Sequence, residues 1–111
     1  MTFETQTHSG IHIVHLHGEL KGEDAAEFVE CMTNLFAGPG TRIVIDLADV
    51  PFMNSDGLSQ LVRVNAQANV QEGRIVLANL SPFVAGVLNT TRLDRFFELA
   101  DTLDAALTRL Q

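Results

Sequence analysis

"TRIVIDLADVPFMNSDGLSQLV", Thr41 to Val62, is the stretch from which the fold is read. Its first part, "TRIVIDL", is an almost unbroken apolar run of strand length. Continuous rather than alternating hydrophobicity marks a strand covered on both faces, the usual state of a parallel strand in an α/β sheet. Pro51, Phe52 and Met53 close that run, and Asn54, Ser55, Asp56 and Gly57 follow as a short polar junction. Leu58, Leu61, Val62 and Asn65 then fall at helical spacing. Strand, polar junction and amphipathic helix in this order form one βα unit of an α/β domain.

The same rhythm extends in both directions. "GRIVLANL", Gly73 to Leu80, echoes "GTRIVIDL" as a second buried strand, with Gln71-Glu72-Gly73 ending the helix between them. Upstream, Phe3 to Thr7 and Ile11 to His17 read as short strands around a turn at His8-Ser9-Gly10, an antiparallel hairpin. From Glu23 the period is helical, with Ala25, Phe28, Val29, Met32, Leu35 and Phe36 on one face and Gly38-Pro39-Gly40 as the stop. Downstream, Ser81-Pro82 opens a short helix expected to turn Phe83, Val84, Val87 and Leu88 inward. Phe96 to Leu99 is a candidate last strand, and Asp101 to Leu110 a last helix capped by Asp101 or Thr102. The expectation is a single α/β domain over residues 1–111: a mixed, mostly parallel sheet with an N-terminal antiparallel hairpin and about four helices.

Composition narrows the function. At 46% hydrophobic, the 111 residues suffice for one packed core. Fourteen acidic residues against seven basic ones give a net charge of −7, and the basic residues are scattered, which disfavours nucleic acid. No apolar stretch is long enough for membrane insertion, and the start lacks the pattern of a secretory signal, so the cytoplasm is the expected location. With one cysteine, Cys31, neither an internal disulfide nor a cysteine-rich zinc site is possible.

Enzymatic signatures are missing from the pattern. No histidine follows Ser55, no glycine-rich phosphate loop is present, and Lys21 is the only lysine. His8, His12, His15 and His17 crowd the hairpin, with His15 and His17 on one strand face and His12 on the other. Two histidines at i and i+2 could chelate a metal, but no carboxylate or cysteine lies near them in sequence. The expectation is therefore no enzyme, no cofactor and no metal centre. Ser55 carries two readings at this stage. It is a helix cap, or it is a phosphoacceptor at a helix N-terminus, where free amides and the dipole tolerate an oxyanion. A phosphate there would add about −1.5 to −2 charges without a change of fold.

"GEL" (Gly18 to Leu20), "IVIDLADVPFMNSDGL" (Ile43 to Leu58), "LANLSPFVAGVLNTTRLDRFF" (Leu77 to Phe97) and "DTLDAAL" (Asp101 to Leu107) together resemble the STAS domain, the fold of anti-sigma factor antagonists. The resemblance runs through the whole chain in order and is most specific in the central motif. It implies reversible binding to an anti-sigma factor that is also a serine kinase, ended by phosphorylation of Ser55 and restored by a serine phosphatase. Phe52, Met53, Asn54, Asp56 and Gly57, with Lys21 from the neighbouring loop, are implied as partner-binding residues. Non-phosphorylated STAS scaffolds, such as modules bound to a transport ATPase, are the alternative. The chain departs from the family pattern at Asn54 and Lys21, where aspartate is common, and at Asp56, where a small neutral residue is common. Asp56 places a carboxylate beside the acceptor, a local potential that opposes an incoming phosphate.

Overall fold

The computed structural model describes residues 1–111. Strand β1 (Thr2–His8) and strand β2 (Ile11–His17) form the expected hairpin. Ser9 and Gly10 join them, both with positive φ, the backbone of a tight two-residue hairpin turn. Helix α1 (Glu23–Leu35), strand β3 (Arg42–Asp49), helix α2 (Ser55–Val70), strand β4 (Arg74–Ala78) and helix α3 (Pro82–Thr91) follow. A 3₁₀ turn, Leu93–Arg95, leads into strand β5 (Glu98–Ala100), and helix α4 (Leu103–Leu110) closes the chain. The last strand is thus later and shorter than the apolar pattern implies, because the 3₁₀ turn absorbs the chain up to Phe96. Thr102 rather than Asp101 caps α4, accepting from the Ala105 amide at 3.1 Å.

The five strands lie in the order β1-β2-β3-β4-β5, antiparallel between β1 and β2 and parallel thereafter. When parallel strands are laid down side by side in one direction, right-handed crossovers send every connecting helix to the same face. Accordingly α1, α2 and α3 cover one face through a core of nineteen buried residues that includes Phe28, Met32, Leu61, Val84 and Leu88. Only α4, which follows the last strand, reaches the other face. It buries Ala106 and Leu110 on Ile11, Ile13, Val44, Val76 and Ala78. Arginines hold its C-terminal end: Arg42 donates to the Leu110 carbonyl at 2.6 Å and Arg74 to that of Arg109 at 3.4 Å. Cations at a helix C-terminus are favoured by the dipole. No helix is long and apolar enough to cross a membrane.

Candidate functional site: the junction between β3 and α2

The polar junction is built by two loops laid side by side. The chain leaving β2 runs beside the chain leaving β3: Gly18 N donates to the Asp49 carbonyl (2.9 Å), Leu20 N to Phe52 (3.0 Å), and Asn54 N to Leu20 (3.3 Å). Leu20 and Met53 are paired as a short parallel bridge, and both side chains are buried in the core. This corrects the placement of Met53 on a partner-facing surface. Its backbone is drawn into the bridge, and its side chain fills the core, only 3% exposed.

The start of α2 is equally determined by Leu20. A Cβ at Gly57 would stand 2.1 Å from the Leu20 carbonyl oxygen, so only glycine lets the helix come this close to the loop. Gly57 is buried and serves this internal contact. With Gly57 in the first turn, the cap falls three residues earlier. Asn54 has extended backbone, and its Oδ1 accepts from the Gly57 amide at 2.9 Å. Ser55 is therefore not the cap. It is the first helical residue, and both it and Asp56 are exposed. Their two amides have no partner within the helix, which leaves donors and the positive end of a 16-residue helix beside the Ser55 hydroxyl. Asn54→Ala is expected to cost about 1 kcal/mol of stability by loss of the cap, read as a lower melting temperature or urea midpoint.

The remaining expected residues lie around this point. Phe52 is exposed one residue before Met53. Lys21 is exposed and its Nζ lies 2.8 Å from Glu19 Oε2. The hydrogen bond that Lys21 donates to Glu19, reinforced by the carboxylate's charge, raises the Lys21 ammonium above the usual lysine range. Lys21 is thus a charged group already matched by its neighbour.

The C-terminal ends of the interior strands β2 and β3, next to the junction, hold a network that sequence spacing did not reveal. His15 Nδ1 donates to Asp46 Oδ2 at 2.6 Å and His17 Nδ1 to Asp49 Oδ2 at 2.7 Å. Asp46 and Asp49 are three apart, which in a regular strand would point them to opposite faces. An irregularity in the register sets two residues of β2 against three of β3, so both carboxylates meet histidines of one face. Asp46 Oδ1 also accepts from the Ala48 amide (3.0 Å) and Asn79 Nδ2 (3.3 Å). The histidines thus tie the two strand ends from which the junction springs, and no group of three or more His, Cys, Asp or Glu side chains is arranged to hold a metal ion.

A third segment braces the junction from below. Ser81, buried, caps α3 by accepting from the Val84 amide (3.4 Å) and donates its hydroxyl to the Val50 carbonyl (2.7 Å). Phe83, expected inward, instead lies 42% exposed with its ring centroid 5.1 Å from that of Phe52. The core-facing stripe of α3 is taken by Val84 and Leu88, four apart, so the residue before them projects along the surface.

Fold and junction together define a small mixed-sheet domain that presents an exposed serine at a rigid helix start. The STAS domain family model matches residues 2–106, and the chain belongs to the STAS family. It is 28% identical over 108 residues to the anti-sigma-F factor antagonist RsfB of Mycobacterium tuberculosis, covering 97% of this chain and 88% of that protein. A solved anti-sigma factor antagonist from Mycobacterium paratuberculosis superposes with a TM-score of 0.84 at 29% identity, covering 98% of this chain and 92% of that one. The tm1081 protein of Thermotoga maritima superposes at 0.89 with 26% identity, covering 97% and 93%.

Proposed function

We propose that this chain is an anti-sigma factor antagonist that docks reversibly, through the loops around Ser55, onto an anti-sigma factor with serine kinase activity. Phosphorylation of Ser55 ends the binding, and a serine phosphatase restores it, in the cytoplasm where ATP is available to the kinase. The observation that carries the reading is the placement of Ser55. Asn54 has taken the capping role, so the serine hydroxyl is free of structural duty and exposed at the helix start. The likeness to RsfB supports the same reading. A phosphate at Ser55 would be accepted by the two free amides while Asp56 beside it opposes the charge. The switch therefore acts on what docks, with the fold unchanged.

The test is incubation of the chain with its purified anti-sigma kinase and ATP. One phosphate is expected by intact mass, absent in Ser55→Ala, and Ser55→Asp is expected to bind the kinase about 20-fold more weakly than wild type. Measured binding to the kinase without any phosphate transfer would sink the switch. Asp56, the charge beside the acceptor, favours a second reading in that event: a constitutive STAS scaffold for another partner, such as a transport ATPase. Retention of a transporter ATPase, rather than a kinase, on the immobilised chain would identify it.

A further inference from the structure

Two phenylalanines are exposed next to the junction, from segments 31 residues apart in the chain. Phe52 is 36% exposed and Phe83 42%, and their rings lie 5.1 Å apart at 43°. The residues on either side are anchored: Val50 and Met53 are buried around Phe52, and Ser81 and Val84 around Phe83. The Ser81 hydroxyl bonded to the Val50 carbonyl locks the two segments together. Pro51 and Pro82 precede the two rings and stiffen both backbones. Beside the Phe83 ring a cleft of about 580 Å³ opens between Pro51, Pro82 and Phe83, and the only charged side chain on its wall is Asp49. Asp49 gives Oδ2 to His17, while its Oδ1 makes no hydrogen bond within the chain. An exposed, rigid aromatic pair with an open, solvent-facing carboxylate oxygen beside it has the make-up of a binding hot spot.

We propose that this cleft receives an arginine side chain of the protein partner, its guanidinium on the Phe52–Phe83 rings and against Asp49. Charge selects a cation. The chain carries −7, Asp49 is the charged group on the cleft wall, and Lys21 in the loop after β2 is already matched by Glu19. Shape selects arginine over lysine, because a planar guanidinium stacks on aromatic faces and bonds a carboxylate side-on. The cleft supplies affinity, while Ser55, four residues beyond Pro51, governs release. The proposal rests on the reading of the junction as a docking site for a partner protein. A second copy of this chain is a poor occupant, since two copies repel through their shared negative charge.

The probe for the cleft itself is acetyl-leucyl-arginyl-leucine amide, titrated into the ¹⁵N-labelled full chain, with the glutamyl peptide as its counterpart. Saturable shifts confined to the non-proline amides within residues 48–53 and 81–84 are expected with the arginyl peptide, with a Kd of order millimolar, and none with the glutamyl peptide. Phe83→Ala and Asp49→Asn should each weaken the arginyl titration several-fold while the rest of the spectrum stays that of the folded protein. Equal shifts with both peptides, no saturable shift, or shifts of these amides with protein concentration alone would overturn the proposal. These outcomes do not depend on Ser55. In a second arm, Phe83→Ala is expected to bind the anti-sigma kinase about tenfold more weakly and still accept phosphate at Ser55. Binding within twofold of wild type would remove the cleft and leave the phosphoswitch standing, whereas phosphate transfer failing in wild type with the peptide shifts intact would do the reverse.

Discussion

Gly57→Ala is expected to destabilise the protein by about 3 kcal/mol, seen as a melting temperature lower by roughly 10–15 °C. The cause is steric. The new methyl group would sit 2.1 Å from the Leu20 carbonyl oxygen, a backbone atom that cannot swing aside. Relief requires α2 to lift or the Gly18-to-Lys21 loop to retreat, and either movement strains the Leu20–Met53 bridge and the bonds from Leu20 N and Asn54 N. Amide exchange should therefore quicken at Leu20 and Asn54 before it does in the central strands. Gly86→Ala is the matched control. Gly86 lies within α3, nothing is within 4 Å of its would-be Cβ, and alanine there should stabilise by about 0.5–1 kcal/mol. If the two variants melt alike, helix propensity rather than the Leu20 contact governs Gly57.

Ser81→Ala is the second large effect, about 2–3 kcal/mol. One hydroxyl meets two needs: it satisfies the buried Val50 carbonyl and caps the N-terminus of α3. Alanine removes the cap and strands an acceptor beneath the junction. The change also loosens the tie between the segments carrying Phe52 and Phe83, so the ring pair should lose its fixed geometry. Ser81→Thr retains a hydroxyl and tests the bond separately from the volume. A urea midpoint for Ser81→Ala within about 0.5 kcal/mol of wild type would show that water replaces the serine hydroxyl at Val50.

The two glycine and serine effects show where sequence reading succeeds and where it stops. The nearly continuous apolar runs at Thr41–Leu47 and Gly73–Leu80 predict β3 and β4 because a strand buried on both faces has few polar positions to offer. The stops at Gly38-Pro39-Gly40 and Gln71-Glu72-Gly73 mark real ends of α1 and α2. Helix starts are less legible. Asn54 and Ser55 are both good caps by chemistry, and the choice between them is made by a carbonyl at residue 20, more than thirty positions away. Phe83 failed for a related reason. At helical spacing it belongs with Val84, Val87 and Leu88, but the sheet offers room for one narrow stripe, and Phe52 offers the remaining ring a partner on the surface.

Histidine pairing was beyond sequence reading for a similar reason. Asp46 and Asp49 lie 31 and 32 residues from the histidines they meet, and their shared face depends on a register irregularity that no local pattern announces. By itself, then, the chain determined its elements, its parallel sheet and the presence of a serine at a strand-to-helix junction, because periodicity and turn chemistry are local properties of the backbone. Tertiary structure alone decided that Asn54 caps the helix, that Met53 is core and that Phe52 and Phe83 form one exposed pair. Those outcomes depend on which loops the sheet order lays side by side, and that is settled only when the strands pair.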